Sequence, residues 1–261
     1  MAAPPRSSIF PWTGLQRNLA VAPDQMNQFT WTGSMQMTGS SGAGVAVFNV
    51  YDFGAVGNGT TDDTQAFADA AAGLFANGGV LLIPPGNFLL SASTMIPSYS
   101  LVQGMGPASR LIVAAGFVNP GGAGYSLFYN ENHDAVSITD EDITVDNLFF
   151  DDQLNPLHGA FHHLKFRMAQ RIVIQNCLFF YGGDATAIRG CNVVSTLNCR
   201  AYSFNNCAYD HWEGCNDVLV EACFAASATA VQIINFNPET EPPYATGTVG
   251  RRFRMLGNAL N

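Results

Sequence analysis

Five residues stand out for the chemistry their side chains can do: Asp184, Arg189, Asp210, His211 and Glu213. Paired carboxylates cleave glycosidic bonds, one protonating the leaving oxygen while the other acts as base or nucleophile, and Glu213 with Asp184 or Asp210 would make such a pair. The same set admits an elimination instead, in which His211 or Arg189 takes the proton and Glu213 holds a calcium ion against an acidic sugar. A plainer arrangement also accounts for these residues. Arg189 and Glu213 stacked on neighbouring strands make a surface ion pair worth little, and His211-Trp212 can hold a sugar without cutting it. Whether the set cleaves anything is therefore open at the level of sequence.

Other chemistry-bearing residues argue mostly against metal. His158 and His162 have i, i+4 spacing, with His163 beside them, but Pro156 and Gly159 oppose a regular helix and no carboxylate follows in zincin order. The acidic run Asp140, Glu141, Asp142, Asp146, Asp151 and Asp152 alternates with apolar residues, as a solvated strand edge does. No cofactor is expected, calcium being the one ion the carboxylates invite. Five cysteines, Cys191, Cys199, Cys207, Cys215 and Cys223, fall at steps of eight, and Cys177 stands outside that series. With no CxxC pair to suggest zinc, the spacing predicts small buried side chains recurring on strands, hence free thiols.

What must position these residues is a repeat. Ile143-Thr-Val-Asp-Asn147-Leu148 is echoed from Ile172, then from Val194, then from Val218. Such a period marks a solenoid, in which each coil stacks on the last at about 4.8 Å and like residues form ladders. Asn147, Asn176 and Asn198 form one predicted ladder; Leu148, Cys177, Cys199 and Cys223 form the next. Gly190-Cys191-Asn192 recurs as Gly214-Cys215-Asn216, the same interval that separates Val194 from Val218. Carried into the preceding strands, that interval stacks Ile188 on Trp212 on Phe236 inside. It turns Ala187, His211 and Asn235 outward, with Arg189, Glu213 and Asn237. The first interval, from Ile143 to Ile172, is the longest, and its excess places a loop at Asp151 to Gln170.

The solenoid also needs a start, and Val50 to Ser91 supplies it. Asp62 and Gln65 have capping-box spacing before a helix whose Phe67, Ala70, Ala71 and Leu74 make one narrow apolar stripe. Gly78-Gly79 stops it, Val80 to Ile83 reads as a buried strand, and Pro84-Pro85 closes that strand. Asp52-Phe53-Gly54-Ala55, Gly57-Asn58-Gly59, Thr61-Asp62-Asp63-Thr64, Gly78-Gly79 and Pro84-Pro85-Gly86-Asn87-Phe88 together resemble the N-terminal signature of the pectate-lyase-like superfamily. Asn58 stands where an Asp is common and Phe88 where a Tyr is common. The resemblance implies an all-β fold, a right-handed single-stranded parallel β-helix with a short N-terminal capping α-helix. The superfamily includes pectate lyases, polygalacturonases, epimerases and phage tailspikes, and this signature belongs to the cap, not to their active sites. The polygalacturonase motifs are not present, Gly183-Asp184 matching half of one, and the calcium-dependent lyase motif Arg-x-Pro-x-x-Arg is missing.

Composition narrows the partners. A chain of 261 residues, 48% hydrophobic, can bury one sizeable core. A net charge of −9 with only 12% charged residues speaks against a nucleic-acid partner held through phosphates. No apolar run reaches the ~20 residues of a membrane span, and the N-terminus lacks the apolar stretch of a signal peptide. The expected layout is an anchoring segment over 1–45, ending in the joint GSSGAG; a β-helix over 46–236 with its cap helix near 62–77; and a C-terminal loop and strand over 237–261. Segment 1–45 carries Trp12 and Trp31, aromatics of the kind that dock into partners. The resemblance and this segment imply a tailspike-type virion protein of a phage tail. It would attach to, and in some members degrade, host surface polysaccharide. A homotrimer follows from the resemblance alone, and residues 1–45 would meet tail or capsid proteins. The rivals are a secreted stand-alone polysaccharide lyase or glycoside hydrolase, and a structural β-helix adaptor in a tail or capsid.

Overall fold

The computed structural model describes residues 45–118, 125–152, 161–212, 214–226, 232–236 and 253–260. The anchoring segment expected at 1–45 lies outside them apart from its last residue, as do Glu213 and most of 237–261. Among the described residues the chain winds as a right-handed parallel β-helix of three sheets, every strand pair parallel.

The first sheet has eight strands, Val47–Asn49, Gly79–Leu82, Ser100–Gln103, Asp140–Asp146, Ala169–Gln175, Asn192–Leu197, Asn216–Glu221 and Phe253–Leu256. The second also has eight, Asn58–Asp62, Gly86–Ala92, Ser109–Val118, Phe149–Asp151, Leu178–Phe180, Arg200–Tyr202, Phe224–Ala226 and Ala259–Leu260. The third has six, Thr94–Ile96, Tyr125–Asn130, Phe161–Arg167, Asp184–Arg189, Cys207–Trp212 and Gln232–Phe236. A coil visits the sheets in that order. Side chains pointing inward meet along the axis in one continuous core, with Phe88, Phe128, Phe150, Phe166 and Phe179 fully buried.

The ladders fall where the repeat puts them. Ile143, Ile172, Val194 and Val218 pair in register along the first sheet. At its exit the chain must turn sharply, and Asn147, Asn176 and Asn198 do so at φ of 62°, 55° and 50°, a left-handed conformation that Asn tolerates better than most residues. Their amides also bond along the ladder. Asn198 Nδ2 donates to Asn176 Oδ1 at 2.9 Å, and Asn176 Nδ2 donates to Asp146 Oδ1 at 2.8 Å. Just inside, Cys177, Cys199 and Cys223 are buried, and the Cys199 N–H meets Cys223 Sγ at 3.5 Å. All six cysteines are free and buried, and burial pushes the Cys199 thiol well up.

The cap differs from the sequence expectation in detail. The helix runs Thr64–Ala72 and buries Phe67, Ala70 and Ala71, with Leu74 buried in the 3-10 turn Gly73–Ala76 that follows. No capping box forms. Asp62 accepts from the Thr64 N–H at 3.0 Å and from the Thr64 and Ser91 hydroxyls, so the next strand has taken its second oxygen. Gln65 reaches forward instead, donating to Asp69 Oδ1 at 2.8 Å. Buried Asp63 anchors the entry loop, accepting from Val56 N at 2.6 Å and Gly57 N at 3.2 Å. Gly78 and Gly79 have φ of 71° and 140°, and a Cβ on Gly79 would lie 2.6 Å from the Ala46 carbonyl, while one on Gly78 would strike that of Tyr99.

The second correction is one of register. Asn192 pairs with Asn216 in the first sheet, as the recurring Gly-Cys-Asn motif predicts. In the third sheet, however, Ile188 pairs with His211, His211 with Phe236, and Arg189 with Trp212. The coil is one residue shorter there, and the difference is made up between Trp212 and Asn216. Because strands alternate, that difference of one residue turns His211 from the outer face to the inner one, opposite core residue Ile188.

Candidate functional site

Of the five residues first singled out, Asp184, Asp210 and Arg189 are on or beside one outer face of the third sheet. His211 is not: it is fully buried, and burial lowers its pKa to about 4, so it is a neutral core residue rather than a base facing solvent. Glu213 lies outside the described residues.

The face is built from the strands Phe161–Arg167, Asp184–Arg189 and Cys207–Trp212. Leu164, Phe166, Ile188 and Tyr209 belong to the core, so the residues between them turn outward. Lys165, Ala187 and Asp210 pair in one column, with Tyr129 below Lys165. Arg167, Arg189 and Trp212 pair in the next. Lys165 is the chain's only lysine. Although outward, it is 7% exposed and Asp210 is 3% exposed, so both charges sit in a covered, low-dielectric setting.

At the other end of the strands His162 pairs with Asp184. His162 Nδ1 lies 2.8 Å from Asp184 Oδ2. The other carboxylate oxygen accepts from Asn206 Nδ2 and from the Cys207 N–H, each at 2.8 Å. Asp184 is thus fixed from three sides and buried, while the His162 side chain keeps 15% of its surface open. Asp184 and Asp210 are one strand apart and three residues displaced, about 11 Å between Cα atoms.

The lower rim is polar and tied down. Asn130 donates to Asp140 Oδ2 at 2.6 Å and accepts from the Arg167 N–H at 2.8 Å. Asp134 sits 3.2 Å from His133 Nε2 and 3.8 Å from Arg167 Nη1, and the His133 ring meets Tyr129 edge-on at 5.0 Å. Burial lowers the His133 pKa, opposed by Asp134 and assisted by Lys165 and Arg167. The chemistry available is therefore that of a face of mixed charge, Lys165, Arg167 and Arg189 among the carboxylates of Asp134, Asp184 and Asp210, with the His162 imidazole partly open beside it.

The metal readings find other uses for their residues. His163 is buried among Phe150, Phe161, Phe179 and Phe204 at 5.7 to 5.9 Å, and His158 lies outside the described residues. The acidic run makes clamps between rungs: Asp142 accepts from Arg171 at 2.7 Å, Glu141 meets Arg171 and Tyr99, and Asp151 meets Arg110. Among the described residues no group of three or more His, Cys, Asp or Glu is arranged to hold a metal ion. The contact that sequence reasoning missed, His162 with Asp184, had a signal in the sequence: the interval between the two is the same one that separates Ile172 from Val194.

Residues 47–222 match the family described as rhamnogalacturonase A/epimerase, pectate lyase-like. The chain belongs to that family. Its curated relatives include the preneck appendage protein of Bacillus phage PZA, 29% identical over 140 residues, which are 54% of this chain and 15% of that protein. The pre-neck appendage protein of Bacillus phage B103 is 36% identical over 85 residues, 33% of this chain and 9% of that one. The chain thus spans under a sixth of the curated relatives' length. Among solved structures, the fold resembles PfbA, a surface adhesin of Streptococcus pneumoniae (TM-score 0.62, 18% identity, 82% of this chain and 57% of that one). It resembles the tailspike protein of E. coli bacteriophage HK620, solved in complex with a pentasaccharide (0.58, 15%, 70% and 36%). It also resembles an exopolygalacturonase from Thermotoga maritima (0.54, 13%, 72% and 54%). These likenesses bear out the pectate-lyase-like β-helix expected from the cap signature.

Proposed function

We infer that this chain is the β-helical part of a phage tail appendage, located in the virion, that attaches to host surface polysaccharide. The observation that carries this reading is the sequence match over 140 residues to the preneck appendage protein of Bacillus phage PZA. The fold it shares with a tailspike solved with a pentasaccharide supports the glycan half. Assembly as a homotrimer, and joining to tail or capsid proteins through residues 1–45, belong to the same proposal. No helix among the described residues is long and apolar enough to cross a membrane.

The test is binding of labelled chain to whole cells of a panel of Bacillus strains, before and after periodate oxidation of their surface glycans. Binding to at least one strain that periodate abolishes is the expected result. Binding to none, or binding indifferent to periodate, overturns the reading.

A second reading is favoured by one specific observation, the His162–Asp184 contact beside Lys165 and Asp210: the third-sheet face cleaves the glycan it meets. Incubation with the bound strain's polysaccharide would then release new reducing ends, and His162→Gln would abolish the release. A chain that binds but releases nothing is an attachment module alone.

A further inference from the structure

The outer faces of the three sheets differ in kind. On the first sheet the outward positions are mixed, Thr144, Gln175 and Ser195 alternating along the ladder with Leu101, Val173, Leu197 and Leu219. On the third they carry the charges described above. On the second they carry rings.

Phe150, Phe179, Ala201 and Ala225 fill the inward column of the second sheet, so their neighbours point away from the core. Those neighbours supply one ring on each of four successive rungs, Phe149, Phe180, Tyr202 and Phe224. The centroids are spaced 5.4, 4.9 and 5.3 Å apart, and successive rings tilt by 64°, 30° and 43°. All four are half-buried, supported by one another and open on one side. The Arg110 guanidinium lies 5.3 Å over the Phe149 ring and is held by Asp151, ending the stripe in a charge, while exposed Arg200 flanks its middle. Nothing in the fold requires this, since Thr, Ser or Lys would suit an outward position on a short strand.

We propose that this stripe is a binding surface for a linear polysaccharide lying along the solenoid axis, one sugar over each rung. The proposal rests on the attachment reading and names its surface. Three observations fit a sugar chain. The negative face of an aromatic ring attracts the polarised axial C–H groups of a pyranose, and stacking on rings costs little conformational entropy. The strand spacing of about 4.8 Å sets a repeat close to that of one glycosidically linked ring. Arg110, Arg200 and the Tyr202 hydroxyl stand beside the stripe as hydrogen-bonding groups for sugar oxygens, in the pattern of an apolar platform with a few polar groups that fixes a ligand's orientation. Its border argues against a second copy of the chain: the centre of a subunit interface is depleted of charge, whereas this surface, widened at Phe180 by the Tyr181 ring at 6.2 Å, is bordered by an ion pair and an exposed arginine.

The experiment uses the full chain with three neutral linear probes, cellohexaose, xylohexaose and maltoheptaose, followed by saturation-transfer and ring-resonance NMR. At least one probe should bind, with shifts in the ring signals of Phe180 and Tyr202 of the unaltered chain. Phe180→Ala and Tyr202→Ala should each weaken it about tenfold, while Tyr202→Phe, which keeps the ring, retains it. Failure of all three probes to bind, binding that moves no ring signal or ignores the loss of rings, or a fall in molar mass in either alanine variant, which marks a self-interface, overturns the proposal. The ring signals of the unaltered chain decide the matter even where a variant does not fold. Periodate-sensitive cell binding that survives Tyr202→Ala would leave attachment standing and sink the stripe alone. Oligosaccharide binding without any cell binding would do the reverse.

Discussion

At the scale of single residues, His211 has the clearest consequence. It is fully buried opposite core residue Ile188, and its pKa is lowered to about 4, mainly by burial. The unfolded chain therefore binds a proton at His211 that the folded chain refuses. A group whose pKa is depressed on folding contributes stability above its unfolded pKa, near 6.5, and that contribution is lost as pH falls from there through about 4. Denaturant unfolding should show stability declining across that window, and His211→Leu should flatten the decline. A slope unchanged in the variant would place the titration elsewhere. The same residue marks the limit of reading the site from sequence. His211 is an obvious candidate base in the chain's text. A register difference of one residue decides which way it faces.

Among the elements, the sharp turns leaving the first sheet are the parts most dependent on residue type. Asn147, Asn176 and Asn198 each hold a positive φ, and the last two pass hydrogen bonds along the ladder, whereas Ala222 holds φ of 53° at the next rung with no amide to offer. Asn176→Ala should cost about 1 to 2 kcal/mol, since it loses two amide bonds and keeps a strained backbone. Asn176→Gly loses the bonds and relieves the strain, so it should cost less. Chemical denaturation of the two variants checks the order, and equal losses would mean that the left-handed turn carries no penalty here. This ladder was legible in the sequence because turn and side chain repeat together, as was the cap's apolar stripe. The capping box was not. Asp62 and Gln65 have the right spacing, but Ser91, from the following strand, competes for Asp62, and only the stacking of coils brings it there.

For the whole molecule, three sheets around one core present different outer faces: a mixed polar and apolar one, one lined with rings and a charged one. A homotrimer, if it forms, must use a surface other than the aromatic stripe. Light scattering of the full chain should give three times the chain mass, unchanged by Phe180→Ala; a monomer would remove trimerisation from the proposed assembly. The sequence by itself determined the architecture, because a solenoid repeats local instructions: each coil's apolar strands, turn asparagines and small buried cysteines carry the next coil's position with them. Tertiary structure alone decided which polar residues share a surface. Facing alternates with every residue along a strand, so a register error of one inverts a site. It exchanged His211 for His162 beside Asp184, and it aligned four rings from separate coils, of which only Phe180 and Tyr202 stand in one register of the repeat.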